Sequence, residues 1–127
     1  MRFERKDPPR VFSVGRGGMP IHIKDCGRVE LEPDEQLTFV TSSGAEYDVV
    51  RKLWGFYATP SLNGRLKRFG LRGVLVRNTL GQYFVLLLEQ GHELAFDRYV
   101  RDERLAIVCW LDSGEALERL CGGIEAV

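Results

Sequence analysis

Residues 28–50 read RVELEPDEQLTFVTSSGAEYDVV, and this stretch decides the fold class. Arg28 to Glu32 alternates polar and apolar residues, breaks at Pro33-Asp34, and gives way to a second alternating run, Gln36 to Thr41. Period-two alternation places every second side chain on the same face, as in a strand with one dry and one wet side. Ser42-Ser43-Gly44 then turns the chain into Ala45 to Val50. The expectation is an antiparallel meander.

Working outward, Val11 to Val14 and Pro20 to Lys24 also read as strands, separated by the turn-forming Gly15-Arg16-Gly17-Gly18. That glycine run is no phosphate loop, because a Pro-led strand follows it where a helix N-terminus would be needed. Leu71 to Arg77 and Gln82 to Leu88 form a further hairpin through Asn78-Thr79-Leu80-Gly81. The second of these strands is apolar on both faces, which assigns it to the middle of a sheet.

His92 to Asp112 carries apolar residues at spacings of three and four and reads as helix, with a junction at Glu103-Arg104. A short helix runs from Ser113-Gly114-Glu115 through Leu120 and stops at Gly122-Gly123. The fold class is therefore α+β, an antiparallel β-sheet of meander plus hairpin with C-terminal helices packed on one face. One domain spans 1–127, with residues 1–9 read as a mobile arm and 122–127 as a mobile tail.

The chain has 127 residues, 44% of them hydrophobic and 28% charged, which suits a folded protein and excludes a disordered or fibrous one. No apolar run has signal-peptide or transmembrane length, so the expectation is a cytoplasmic protein without membrane insertion. Cys26, Cys109 and Cys121 are odd in number and widely spaced, as reduced thiols are. His22 and His92 lie far apart, and neither a metal centre nor a cofactor is expected. Cys26 with His22 is the nearest approach to a nucleophile–base pair, and it lacks an orienting group, so no catalytic residue is assigned.

A net charge of zero conceals a division. Between Val49 and Leu88 there is no Asp or Glu, while Arg51, Lys52, Arg65, Lys67, Arg68, Arg72 and Arg77 supply seven cations. Residues 89 to 127 hold nine acids against four bases. The central segment is thus suited to an anion, or to the acidic end of its own chain. Asp48, at the boundary, reads as a structural ion pair with nearby arginines, with a general-base role as the alternative.

Within that segment, WGFYATPSLNGRLKRFGLRG at 54–73 mixes aromatic, hydroxyl, amide and cationic groups. Trp54 and Tyr57 offer flat faces, Thr59, Ser61 and Asn63 offer hydrogen bonds, and Arg65, Lys67 and Arg68 offer positive charge. Guanidinium forks suit phosphate or carboxylate, and aromatic faces suit a base or a sugar ring. These eight residues are the expected ligand site, for a sugar phosphate, a nucleotide-sugar or a nucleic-acid strand. Equally, the aromatics could be core and the cations a solvated rim.

The stretches Cys26-Gly27, Glu35 to Thr41, Ser43 to Asp48 and Trp54 to Leu66 together resemble a small bacterial protein family of uncharacterised activity. Its members accompany genes for surface-polysaccharide and nonulosonic-acid-type sugar synthesis. The resemblance brings no catalytic residues and tilts the expected ligand toward an anionic sugar. It implies a non-catalytic binding or accessory protein. A nucleic-acid-binding module, a small enzyme using Asp48 or His22, and a protein–protein interaction module are the alternatives, with a pathway protein or a second copy as partner.

Overall fold

The computed structural model describes residues 1–15 and 19–125, with eight strands and three helices among them. In chain order the elements are β1 (Arg2–Val14), β2 (Ile21–Glu30), β3 (Gln36–Val40), β4 (Glu46–Lys52), β5 (Gly55–Tyr57), α1 (Arg65–Arg68), β6 (Leu71–Arg77), β7 (Tyr83–Glu89), α2 (Glu93–Asp102), β8 (Ala106–Trp110) and α3 (Gly114–Glu125). All strand pairings are antiparallel, and the architecture is α+β with C-terminal helices against the sheet. The strands form three separate sheets, the β1-β2 hairpin, the β3-β4-β5 meander and a sheet of order β7-β6-β8.

From Gln36 onward the meander follows the alternation, but Arg28–Glu30, expected as its first strand, instead ends β2 against β1, and Gly55–Tyr57 supplies the third strand. Leu37 pairs with Val49 and Phe39 with Tyr47, while Thr38 pairs with Asp48 on the other face. The turn between β3 and β4 sits where Ser42-Ser43-Gly44 demands it, with Gly44 at φ 97° and its N–H donating to the Thr41 carbonyl at 3.0 Å. Of residues 1–9, expected as an arm, Arg2 onward lies in β1, with Arg2 to Arg5 paired to β2 from Arg2 opposite Glu30. Lys6 reaches Asp25 at 2.5 Å across this hairpin. The expected turn at 15–18 falls mostly on residues 16–18, outside the described part of the chain.

Two expectations about the third sheet need correction. The middle strand is β6, not β7. Val74 and Val76 on β6 are fully buried, whereas Tyr83, Phe84 and Val85 on β7 stand exposed at its edge. β7 is apolar on both faces, but among the described residues it forms the edge of the sheet.

The region 92–112 is also not continuous helix. Helix α2 ends at Asp102, Arg104 turns the backbone at φ 54°, and Ala106–Trp110 then pairs with β6. The expected junction at Glu103-Arg104 marks this change. Beyond it, the β-branched and aromatic content of Ile107-Val108-Cys109-Trp110 meets an open edge of β6 and completes the sheet, so tertiary pairing overrides the helical spacing. β7, α2 and β8 form a crossover that places two parallel strands on either side of β6.

Helix α3 is capped by Ser113, whose hydroxyl accepts from the Ala116 N–H at 3.2 Å. It continues through Gly122-Gly123 to Glu125, beyond the expected stop. Glycines weaken a helix interior by about 1 kcal/mol each without forbidding it. Residues 126–127 lie outside the described part.

The core is small. Ala45, Leu66 and Leu71 form a buried cluster with Tyr47, Leu62 and Leu87 packed on it, which joins the β4 start, α1 and the β6-β7 sheet. Gly73 in β6 makes room for this layer, since a Cβ there would sit 3.2 Å from Leu62 and 3.5 Å from Leu111.

Candidate anion-binding cleft

The seven central cations are largely consumed within the chain. Arg72 donates from Nε to Asp112 at 2.7 Å, Arg65 approaches Asp48 at 3.0 Å, and Lys52 approaches Asp34 at 2.5 Å. Arg51 donates to the Lys52 carbonyl and lies over the Phe56 ring. Among the described residues, Lys67, Arg68 and Arg77 make no ion pair.

Asp48 is the structural ion pair that its position suggested, though its partner is Arg65 of α1 and not the adjacent Arg51 or Lys52. Its other oxygen accepts from the Thr38 hydroxyl at 2.7 Å. Asp48 is buried between these two partners. His22 is exposed on β2 and hydrogen-bonds with Ser13 at 2.9 Å. Neither histidine belongs to a metal-binding group, and among the described residues no cluster of three His, Cys, Asp or Glu could hold a metal. Cys26, Cys109 and Cys121 are free thiols.

The eight expected ligand residues are not brought to one place. Trp54 is 74% exposed in the β4-β5 turn, and Tyr57 ends β5. Thr59 lies in the loop before α1. Ser61 serves α1, where its hydroxyl accepts from the Arg65 N–H at 2.8 Å. Asn63 lies toward Gly114. Arg65 is held by Asp48 and lies 5.2 Å from the Phe69 ring centroid. Lys67 contributes its carbonyl, which accepts from Gln90 Nε2 at 2.9 Å.

Of the eight, Arg68 lines a formed cleft. Its walls come from the β3-β4 turn (Ser43, Gly44, Ala45), the end of α1 (Arg68, Phe69, Gly70) and the segment after β7 (Glu89, Gln90, His92), around a volume of about 310 Å³. Backbone bonds hold these three segments together. Glu46 N–H donates to the Phe69 carbonyl at 3.1 Å and Gln90 N–H to the Gly70 carbonyl at 2.8 Å. Gly70, at φ 92°, makes the sharp exit from α1 that brings the two ends together.

Glu89 is the centre of the cleft's polar network. Its carboxylate accepts from the Thr41 hydroxyl, from the Ser43 hydroxyl at 2.8 Å and from His92 Nε2 at 2.8 Å. The Thr41 bond first, then the Ser43 bond and the proximity of His92, hold its pKa below the ordinary carboxylate range against the opposing effect of burial. Ser43 and His92 both bind the carboxylate and not each other. In this arrangement the carboxylate orients both the imidazole and the hydroxyl.

A cation without an internal carboxylate partner, an ionised acceptor, a carboxamide, an imidazole and the rim of Phe69 thus line one opening. Such a set can hold a polyol by hydrogen bonds while a guanidinium fork takes an attached phosphate or carboxylate. Sequence reasoning reached Arg68 but missed Glu89, Gln90 and His92, which join it through the Gln90–Gly70 backbone bond and the Gln90–Lys67 bond. The usable signal was a Glu and a His three residues apart at the end of an apolar strand.

Among the described residues no helix is long and apolar enough to cross a membrane. Comparison with protein-family models, curated proteins and solved structures finds no match to this chain.

Proposed function

We propose that this protein is a non-catalytic binding or accessory protein for an anionic sugar, such as a sugar phosphate or nucleotide-sugar, in bacterial surface-glycan synthesis. The observation that carries the binding part is Arg68, which lines a cleft with Glu89, Gln90 and His92 and makes no ion pair among the described residues. The pathway rests on the resemblance of residues 26–66 to the surface-polysaccharide-associated family.

The ligand's anionic group meets Arg68, and its hydroxyls meet Glu89 and Gln90. Phe69 replaces Trp54 and Tyr57 as the ring surface, because it borders the same opening. The contacts of the cleft's hydroxyl and imidazole with Glu89 support binding as the role. A nucleic-acid strand fits less well, since tracking a backbone requires a row of free cations and four of the central seven are engaged internally.

The test is a thermal-shift and calorimetric screen against hexose phosphates, nucleotide-sugars, acidic sugars and short oligonucleotides, with wild type and Arg68→Glu. A ligand at a hundred times its dissociation constant stabilises the native state by about 2.7 kcal/mol. Binding of one anionic sugar class that Arg68→Glu abolishes supports the proposal. Oligonucleotide binding, or sugar binding indifferent to Arg68, counts against it.

A further inference from the structure

We infer that the outer edge of β7 is a homodimerisation edge, on which a second copy of this chain pairs its own β7 antiparallel about a two-fold axis. Strand β7 has β6 on one side and, among the described residues, no strand on the other. The bonds that close its two ends, Asn78 N–H to the Gln82 carbonyl and Gln90 N–H to the Gly70 carbonyl, fix which residues face β6. In an antiparallel ladder this orientation alternates, and the register from Leu71–Glu89 to Arg77–Tyr83 is unbroken. Phe84, Leu86 and Leu88 therefore bond β6, and Tyr83, Val85 and Leu87 point their N–H and C=O groups outward.

Sheet edges are ordinarily guarded by a charge, a proline, a bulge or a short length. β7 has none of these between Tyr83 and Leu88. The opposite edge is guarded, since β8 has five residues and a register shift opposite Leu75/Val76. On β7, Tyr83, Phe84 and Val85 are 57%, 44% and 55% exposed, so both faces of the strand are apolar and open.

The protein exposes 9371 Å², whereas a compact monomer of 14.5 kDa exposes about 6,900 Å². The open side chains of β7 are one part of this excess, and a standard interface takes roughly 800 Å² from each partner. A second copy fits because the edge is self-complementary. With Val85 on the two-fold axis, Tyr83 lies opposite Leu87 and Phe84 opposite Leu86 of the second copy, and no like charges meet. The two β7-β6-β8 sheets become one sheet of six strands.

Sedimentation velocity and light scattering on the full chain test this inference. The wild type is expected at twice the protomer mass at micromolar concentration. Val85→Pro removes an N–H that the protomer's own sheet does not use, and is expected to give a monomer with unchanged far-UV circular dichroism. Should that variant fail to fold, Val85→Lys decides, since it keeps the N–H and places a charge at the axis. A monomeric wild type overturns the inference and leaves the edge for a strand of another protein. A dimer that survives whichever of the two variants folds overturns it as well, by placing the interface elsewhere.

Discussion

The Arg72 guanidinium lies 4.1 Å from the Trp110 ring centroid while its Nε donates to Asp112 at 2.7 Å. This contact ties the middle strand β6 to the residues just after β8, forty positions away in sequence. It is also where the basic centre of the chain meets its acidic end. Asp112 is buried, and the Arg72 bond holds its pKa below the ordinary carboxylate value.

Removing one partner leaves the other desolvated. Asp112→Ala is expected to destabilise the fold by about 3 kcal/mol, measured by urea unfolding. The sign of the pH dependence follows from the depressed folded pKa. Asp112's contribution is complete above its unfolded value of about 3.9 and is lost as pH falls through the lower folded value. Acid titration of stability should therefore be shallower in Asp112→Asn than in wild type in that window.

Arg65 and Arg68 lie three residues apart and should separate cleanly. Arg65 neutralises the buried Asp48, so Arg65→Ala is expected to cost about 1–2 kcal/mol, less than a fully buried pair because Arg65 is half exposed. Arg68 makes no ion pair among the described residues, and Arg68→Ala should change stability by less than about 0.5 kcal/mol. Equal destabilisation by the two would remove the assignment of Arg65 to structure and Arg68 to the cleft.

The contrast between strands and site shows what was legible in the sequence. Alternation in 36–50 gave the β3-β4 pair, because a half-buried strand writes its two faces directly into the residue order. The alternating run at 28–30, however, belongs to β2 and pairs with β1, and β5 was not foreseen. Leu86-Leu87-Leu88 identified a strand but not its place, since an unguarded edge and a central strand have the same composition. Ile107-Val108-Cys109-Trp110 was hidden by apolar spacings that suit a helix, and the open edge of β6 decided otherwise.

The cleft was harder still. Its segments around Ser43, Arg68 and Glu89 are separated by more than twenty residues at each step, and long-range bonds such as Glu46–Phe69, Gln90–Gly70 and Ser43–Glu89 bring them together. Local composition identified cations correctly. It could not say which of them the fold would neutralise.

Leu66 is fully buried and joins α1 to Ala45 and Leu71. Leu66→Ala should cost about 3 kcal/mol by leaving a cavity in a core with little to spare. Because α1 supplies one wall of the cleft, the variant should also weaken ligand binding. A denaturation midpoint unchanged from wild type would show that this cluster does not anchor the helix.

The Glu89 network makes a spectroscopic prediction. Its carboxylate should titrate below the ordinary Glu range in a carbon-detected NMR titration, and Thr41→Val with Ser43→Ala should move it upward, since both hydroxyl donors are then gone. A titration midpoint unaffected by the double substitution would mean that these hydroxyls do not hold the carboxylate in solution.

The most direct measurement is isothermal titration of hexose phosphates and nucleotide-sugars into the wild type and into Arg68→Glu, with Arg65→Lys as the control that retains charge at the structural site. Saturable binding by the wild type and by Arg65→Lys, absent in Arg68→Glu, is the expected result. Binding that persists unchanged in Arg68→Glu, or no heat with any anionic sugar at millimolar concentration, would contradict the assignment of this cleft.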